Sequence, residues 1–343
     1  MLATNVLRVK QEVMSDGSDR SSALSIVPQI TPTLIANGGS GEGVPCEELR
    51  TPSPDDNPPD GEREYLGSPE EMHYMQVFTE EVGIWMDSFD KDKHFSQIIP
   101  YNTLKSPMLL NAFLACGVMP LSVMSRELDD KALCYYNTAT THLLRSLQNP
   151  DRDTEECAAA AVVLNVYEIM SDSPSNRMKH AAGARALIKE CGWNGKSPGI
   201  GSACFWLNIE MEVLDCLAMK WQTTWSPEEW GVDMSFHATP GCATSSGDEE
   251  LWVQRIVFIV AKIANFRAAS SDEARSCFCE EWKLGANRHF SWTELRKLCL
   301  RWNSSCPRTM HPVGYLPASR ASKSLFPNIW YVPTKRVKPM LTY

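Results

Sequence analysis

The chain has no apolar run long enough to cross a membrane, and its first residues lack the apolar core of a secretory signal. A membrane helix needs roughly 18 consecutive apolar residues. The run FLACGVMPL ends at Pro120, and LWVQRIVFIVAKIANF contains Arg255 and Lys262. The opening MLATNVLRVKQEV holds no apolar segment of signal-peptide length. We therefore expect an intracellular protein with no membrane partner, whose twelve cysteines are reduced thiols.

An excess of basic charge is also missing. The chain has 33 Lys and Arg against 42 Asp and Glu, a formal charge of −9. Nucleic-acid binding through the overall field needs the opposite sign. Basic residues form only short clusters, such as Lys335, Arg336 and Lys338. This balance predicts no DNA binding through overall charge.

Sequence motifs of catalysis are absent as well. The chain has no Gly-x-Ser-x-Gly elbow, no glycine-rich phosphate loop ending in Gly-Lys-Ser/Thr and no His-x-x-x-His pair. The segment GIGSAC at residues 199–204 has glycines, but no strand precedes it. We predict that the protein is not an enzyme and that it uses no cofactor.

Composition divides the chain into three parts. Residues 1–67 contain five Lys and Arg against eleven Asp and Glu and are rich in Pro, Gly and Ser. Such a segment has too little apolar surface to offset its chain entropy, which predicts disorder. Residues 68–331 carry helical patterns and form the predicted domain. Residues 332–343 lack a helical period and are expected to be an irregular tail.

The patterns in 68–331 predict an all-α, multi-helix domain, because sustained period-2 runs are missing. Ser68-Pro-Glu-Glu71 is typical of a capping box with proline at the first helical position, and Ser226–Glu229 repeats it before a short turn. A second helix should open at Ser106-Pro107 and break at Pro120. The buried face of the first helix should consist of Met75, Phe78, Val82, Trp85, Met86 and Phe89. A third helix should bury Leu133, Tyr136, Leu143, Leu144 and Leu147.

The stretch HAAGARALIKECGW at residues 180–193 surrounds one histidine with alanines and a glycine. Glycine in a helix costs about 1 kcal/mol relative to alanine, so Gly183 suggests close approach of a neighbouring helix, plausibly the preceding one with Ala158 to Ala161. His180 has Gly183 and Ala184 at positions i+3 and i+4, which leaves it no local metal-binding partner. We interpret His180 as a structural, hydrogen-bonded histidine.

Several motifs in this order resemble the regulatory (middle-homology) domain of fungal binuclear zinc-cluster transcription factors, over roughly residues 70–331. A helix with a histidine, small residues and a Leu-Ile pair is followed by a Phe-Trp…Glu helix and, after a tryptophan-rich segment, by a Phe-Pro-aliphatic stretch. The matching residues are His180, Gly183, Leu187, Ile188, Phe205, Trp206, Glu210, Phe326 and Pro327.

The resemblance implies an all-helical regulator of transcription in the nucleus (alternatively the cytoplasm), without catalysis or bound metal, for which control of a metabolic gene cluster is a family-level expectation. It implies protein partners, as a homodimer or as a heterodimer with a zinc-cluster regulator. This chain departs from the family in lacking the six-cysteine cluster. Only Cys46 precedes residue 116, and no Cys-x2-Cys pair occurs, so direct DNA binding by the usual route is unsupported.

Other readings stay open. The chain could be a fragment of a full-length zinc-cluster factor, since the family domain usually continues further. It could be an all-α magnesium enzyme using Asp87, Asp90 and Asp92, although a solvated helix end explains these acids more simply. Cys277, Cys279 and His289 are weak zinc candidates. Tryptophans are expected to anchor the core, with an aromatic effector pocket as the alternative: Trp85, Trp206, Trp221, Trp225, Trp230, Trp252, Trp282, Trp292, Trp302 and Trp330.

Overall fold

The computed structural model describes residues 63–122, 125–171, 174–236, 248–273, 281–317 and 327–330. The predicted disorder of residues 1–67 falls mostly outside this part, and so does the predicted tail 332–343. Within the described residues the protein is all-α, as expected. No helix among them combines the length and the apolar character that a membrane crossing requires.

The α-helices follow one another with short connections, and their bounds are as follows: α1 (Pro69–Val77), α2 (Gly83–Met86), α3 (Ile99–Thr103), α4 (Pro107–Ser122), α5 (Arg126–Leu147), α6 (Thr154–Met170), α7 (Pro174–Glu190), α8 (Ile200–Met219), α9 (Asp248–Glu273) and α10 (Glu281–Ser305). Shorter turns interrupt this series: π-helical Phe78–Val82 and His94–Ile98, and 3₁₀-helical Asp87–Phe89, Pro227–Trp230 and Arg308–Met310.

The predicted N-cap forms, but the reciprocal bond of a capping box shifts by one residue, because Glu71 Oε2 accepts from the backbone N–H of Gly67 at 2.6 Å. The Ser68 hydroxyl oxygen accepts a hydrogen bond from the backbone N–H of Glu71 at 3.1 Å, and Pro69 occupies the first turn of α1. The helix behind it is not continuous, because the π-helical turn Phe78–Val82 separates α1 from α2. The second predicted helix begins at Pro107 as expected, but it continues through Pro120 to Ser122, so the predicted break is two residues early.

The core is built around helices that are buried on nearly all sides, as their continuous apolar sequences require. Helix α4 packs against α1, α5 and α6, while α6 also packs against α7 and α8. The closest glycine-mediated approach is that of Gly117 in α4 to α1, where an added Cβ would lie 2.1 Å from the Tyr74 carbonyl oxygen. Any larger residue at 117 would therefore force α1 and α4 apart.

A short antiparallel ladder follows α10, and the sequence patterns did not predict it. Strand β1 (Gly314–Leu316) pairs with β2 (Asn328–Trp330), with Tyr315 opposite Ile329. Each strand has only three residues, and an alternation of apolar and polar residues over three positions cannot be distinguished from the sequence of a loop. The ladder leaves the all-α class unchanged.

Candidate functional site

Helices α7 and α8 carry most of the residues that match the family pattern. Leu187 and Ile188 are buried in the last turns of α7, and Phe205 and Trp206 are buried in the first half of α8. The two helices pack against each other, and both pack against α6. All four side chains belong to one apolar cluster. The structure therefore places them in the core, where they hold the helices together.

Aromatic rings continue this cluster beyond α8. Phe205 stacks on Trp225 with ring centroids 5.6 Å apart, and Trp206 meets Trp230 edge-on at 6.2 Å. Trp230 meets Phe258 of α9 in the same way at 6.3 Å. Such pairs stabilise beyond the area that they bury, so core anchoring is confirmed for Trp206 and Trp230. Three tryptophans are instead exposed, where the same expectation is wrong: Trp221, Trp292 and Trp330.

Glu210 is a buried carboxyl in the middle of α8. It is 4% exposed, and within the described part of the chain its Oε2 has no hydrogen-bond partner. Burial raises the pKa of Glu210 from 4.5 to about 8, because the apolar surroundings disfavour the charged form. The side chain is therefore mostly protonated near neutral pH, and its charge state depends on pH in the range of a cell.

The remaining family residues are placed differently. Gly183 is exposed on α7, and no described atom lies within 4 Å of the position that a Cβ would take. The prediction that Gly183 allows a neighbouring helix to approach is therefore wrong, although α6 and α7 do pack together and Ala184 is fully buried. The side chain of His180 and the whole of Phe326 lie outside the described residues. Pro327 is partly buried and directly precedes β2.

Asp87 was a candidate magnesium ligand, and the structure gives it another role. It is buried, and its carboxylate oxygens accept hydrogen bonds from the backbone N–H groups of Phe95 at 2.9 Å and Ser96 at 3.0 Å. Burial raises the pKa of Asp87, while these hydrogen bonds act in the opposite direction. The expectation of a solvated helix end is wrong here, because the side chain is an internal cap for the turn His94–Ile98.

Asp90 holds the same turn from its other side. Its Oδ2 accepts from the backbone N–H of His94 at 2.6 Å and lies 2.8 Å from the His94 ring Nδ1. Its Oδ1 accepts from the backbone N–H of Asp92, whose own side chain is exposed. Buried Asp87 and partly buried Asp90 thus both point their oxygens at N–H groups of the turn, as caps do.

The structure brings no metal-binding group together in the residues that it describes, where three or more His, Cys, Asp or Glu side chains never converge in a way that could hold an ion. Cys277 and Cys279 of the weak zinc candidate lie outside those residues. His289, the third member, is exposed on α10.

Residues 72–218, which run from α1 to the end of α8, match the family model described as "Fungal specific transcription factor domain". This segment is therefore similar to a fungal specific transcription factor domain. The match includes the buried residues of α7 and α8 described above, and the resemblance stated from the sequence is confirmed for this part.

The chain is also similar to a curated protein over a longer stretch. Transcription activator AMTR1 of Alternaria alternata is 22% identical over 376 aligned positions, which cover 78% of this chain and 49% of the relative. The chain thus spans about half the length of the curated relative that it matches. No solved structure matches the chain. The domain and the relative support a transcription regulator rather than an enzyme.

A basic and aromatic surface lies outside the matched transcription factor domain, on α10. The exposed residues Arg288, Trp292, Arg296 and Leu300 follow one another at i,i+4 spacing, and we call them the outer face of α10. The guanidinium of Arg296 lies 5.6 Å from the centroid of the Trp292 ring, in a cation–π arrangement. Aromatic residues and arginine are enriched at protein interfaces, so this face has the composition of a contact surface.

The β1–β2 ladder adds a second group of exposed apolar side chains, namely Tyr315, Leu316, Ile329 and Trp330. Sequence reasoning missed both surfaces because it assigned tryptophan and leucine to the core by default. One available signal was that α10 contains five Lys and Arg against two Glu, whereas the whole chain carries −9. A basic helix with exposed aromatic residues departs from the rest of the molecule.

Proposed function

We propose that the chain regulates transcription in the nucleus by protein contacts, and that the outer face of α10 receives an acidic, partly apolar segment of a partner protein. The observation that carries this proposal is the exposure of Trp292 and Leu300 beside Arg288 and Arg296 on one face of the helix. Tryptophan and arginine contribute most to interface energies when a partner excludes water from them. The basic side chains complement acidic groups and steer the encounter.

The partner also supplies the contact with DNA. This sequence contains no Cys-x2-Cys pair, and each zinc site of a binuclear cluster requires four ligands. A zinc-cluster regulator brings such a cluster of its own. We therefore favour a heterodimer with such a regulator. The heterodimer would control a group of metabolic genes, which the genes next to this one would identify.

A tethering experiment tests the proposal. The chain is fused to the DNA-binding domain of a bacterial repressor, and transcription of a reporter with the matching operator is measured in a fungal host. We expect the fusion to change reporter transcription several-fold relative to the DNA-binding domain alone. Trp292→Ala together with Arg296→Glu should remove at least half of that change, because both the apolar and the charged part of the contact are lost.

The matched control is Tyr65→Ala, which removes an exposed aromatic side chain at the opposite end of the described chain. Protein levels are compared by immunoblot so that loss of the fusion is not mistaken for loss of contact. A fusion that leaves the reporter unchanged contradicts regulation by tethering. An effect that Tyr65→Ala and the α10 variant reduce equally contradicts the outer face of α10 as the contact.

A second candidate keeps the regulator and treats the sequence as a piece of a longer zinc-cluster factor. The observation that favours it is that the alignment covers only 49% of the curated relative. Sequencing of full-length transcripts decides this question. An in-frame upstream exon with six cysteines in the zinc-cluster spacing would support the longer protein, in which DNA contact is made in the same chain.

A further inference from the structure

Two π-helical turns face each other between α1 and α3. The turn Phe78–Val82 follows α1, the turn His94–Ile98 precedes α3, and the two pack against each other. Residues in π-helices make up well under 1% of globular proteins, and single π-helical turns occur frequently at functional sites. Two of them in contact within one short segment therefore call for a functional explanation.

The sequence holds these turns in place with specific contacts. The carboxylates of Asp87 and Asp90 accept the first N–H groups of the second turn. Gly83 closes the other side, because a Cβ at this position would lie only 3.0 Å from the Ser96 Cα. Glycine at position 83 lets the two backbones approach this closely without any displacement. The arrangement is thus fixed by buried polar contacts and by one missing side chain.

A cavity of about 620 Å³ opens beside the two turns. Its apolar wall includes Leu66, Met75 and Tyr101, and both π-helical turns contribute to it, through Thr79 from the first and Ser96 and Gln97 from the second. Tyr101 is 77% exposed, so its ring stands at the mouth. The volume lies in the range of small-molecule sites, about 300–1,000 Å³, and is too small for a folded partner.

The lining selects a neutral ligand. The described residues that line the cavity include none that is charged, and an ion placed against apolar side chains without a partner is strongly disfavoured. A molecule that is mostly apolar and uncharged satisfies the walls formed by Leu66, Met75 and Tyr101.

The hydroxyl groups in the lining determine which hydrogen-bonding groups a ligand needs. The Thr79 hydroxyl donates its hydrogen to the backbone carbonyl of Gln76 at 2.9 Å. The Ser96 side chain hydrogen-bonds the Asp87 carboxylate, to which a hydroxyl can only donate. Both hydroxyl hydrogens are therefore engaged within the protein, while their oxygens retain lone pairs. These two oxygens can accept a hydrogen bond from a ligand but cannot donate one to it, whereas the exposed amide of Gln97 in the same lining can do either.

We infer that this cavity is a binding site for a neutral, mostly apolar small molecule that carries a hydroxyl or N–H donor. The π-helical turns present two hydroxyl oxygens as acceptors, and Leu66, Met75 and Tyr101 offer apolar surface to the rest of the ligand. The inference adds a ligand to the proposed regulator. Its test measures binding to the purified chain, so a failure here would leave the reporter result unaffected, and the reverse also holds.

The experiment compares three matched probes by isothermal titration calorimetry with the full-length protein. Bisphenol A is neutral, apolar and carries hydroxyl donors; its dimethyl ether lacks the donors; diphenolic acid has the same rings and adds a carboxylate. We expect bisphenol A to bind, the ether to bind about fivefold more weakly, as the loss of one neutral hydrogen bond predicts, and the acid to bind at least about tenfold more weakly.

Two tryptophan substitutions locate the site. Leu66→Trp fills the cavity and should weaken bisphenol A binding roughly tenfold or more. Tyr65→Trp adds the same side chain one residue earlier, at a position that is 74% exposed, and should leave binding unchanged. Circular dichroism and thermal melts confirm that both variants are folded. Methyl NMR of methionine-labelled protein gives an independent readout, in which bisphenol A should shift the Met75 signal more than that of exposed Met72.

Three results would overturn the inference. The first is no detectable binding of bisphenol A to the folded wild-type chain. The second is equal affinity for the diphenol, its ether and the acid, which would mean that the acceptor oxygens and the neutral wall do not select. The third is binding that Leu66→Trp does not weaken and that does not shift the Met75 signal, which would place the probe elsewhere on the protein.

Discussion

Asp87, in the irregular segment between α2 and α3, and Glu210, in the regular helix α8, are buried to the same extent, with 5% and 4% exposure. Asp87 accepts two backbone hydrogen bonds, whereas Glu210 Oε2 has no partner among the described residues. The backbone explains the difference. A regular helix uses its own N–H groups internally, and only the first four at its start are spare. Buried acids in irregular segments are thus anchors, while those inside a helical core tend toward neutrality.

The comparison extends to glycine. Gly83, the first residue of the one-turn helix α2, lies so close to Ser96 in the irregular segment that no side chain fits without movement. Gly183, in the long helix α7, has no described atom within 4 Å of the position that a Cβ would take. Close backbone approach to the irregular segment favours glycine at position 83, whereas Gly183 meets no such requirement in the described structure.

The largest effect should come from the pH dependence of Glu210. The folded-state pKa is about 8 against an ordinary value of 4.5, so the folded protein binds the proton more tightly than the unfolded chain. The stabilisation is complete below about pH 4.5 and is lost as the pH rises through about 8. Between pH 5 and 8 the wild-type free energy of unfolding should fall, relative to Glu210→Gln, by on the order of 3 to 4 kcal/mol.

Urea denaturation of both proteins at several pH values measures this difference, and the glutamine variant controls for every other titrating group. Parallel stability curves for the two proteins would show that Glu210 is charged or paired in the folded state. The contrast with Asp87 would then disappear.

Replacing Asp87 should have the next largest effect. Asp87→Ala leaves the N–H groups of Phe95 and Ser96 buried without their acceptors, and each such loss costs roughly 1–3 kcal/mol. We expect the free energy of unfolding to fall by about 3 kcal/mol, measured by chemical denaturation at pH 7. Asp92→Ala removes an exposed carboxylate from the same segment and should cost about 0.5 kcal/mol or less. Equal losses for the two variants would refute the anchoring role of Asp87.

Gly83→Ala should be the third in size. The added methyl would lie 3.0 Å from the Ser96 Cα and 3.2 Å from the Phe78 carbonyl oxygen, so these neighbours must give by a few tenths of an ångström. Overpacking costs typically 1–3 kcal/mol, and we expect a loss of about 2 kcal/mol in the free energy of unfolding, measured by denaturation. Because Ser96 lines the cavity beside the turns, the same variant should also weaken the binding of bisphenol A. A stabilised Gly83→Ala protein would contradict the close approach.

The sequence predicted regular elements better than irregular ones, and one repeated tetrapeptide illustrates why. Ser-Pro-Glu-Glu occurs at residues 68–71 and 226–229. The first caps a helix, whereas the second forms a 3₁₀ turn in which the Ser226 hydroxyl bonds the Glu228 side chain. The helical turn after the second tetrapeptide ends at Trp230, which is buried, and the next residue, Gly231, adopts a left-handed conformation with φ of 74°. The two tetrapeptides have the same residues, so tertiary contacts decide which of them begins a long helix.

Periodicity also identified helices without fixing which side faces inward. In α5 the predicted core positions Tyr136 and Leu143 are buried, but Leu133 and Leu144 are about half exposed. Leu143 and Leu144 are adjacent, and neighbouring residues on a helix point about 100° apart, so both cannot reach the core equally. The cavity beside the π-helical turns could not be predicted at all, because no pattern of residues signals a π-helical turn.

Gly183→Ala should have the smallest effect and the opposite sign. An exposed glycine inside a helix costs about 1 kcal/mol relative to alanine, and no described atom occupies the space that the new methyl would fill. We therefore expect a stabilisation of up to about 1 kcal/mol, or roughly 2–4 °C in Tm, by thermal denaturation. Ala182→Gly, the reverse change at the exposed neighbouring position, should lower the Tm by a similar amount. If Gly183→Ala instead destabilised the domain while Ala182→Gly behaved as expected, the backbone at 183 would have to meet a close neighbour, and the two glycines would no longer differ.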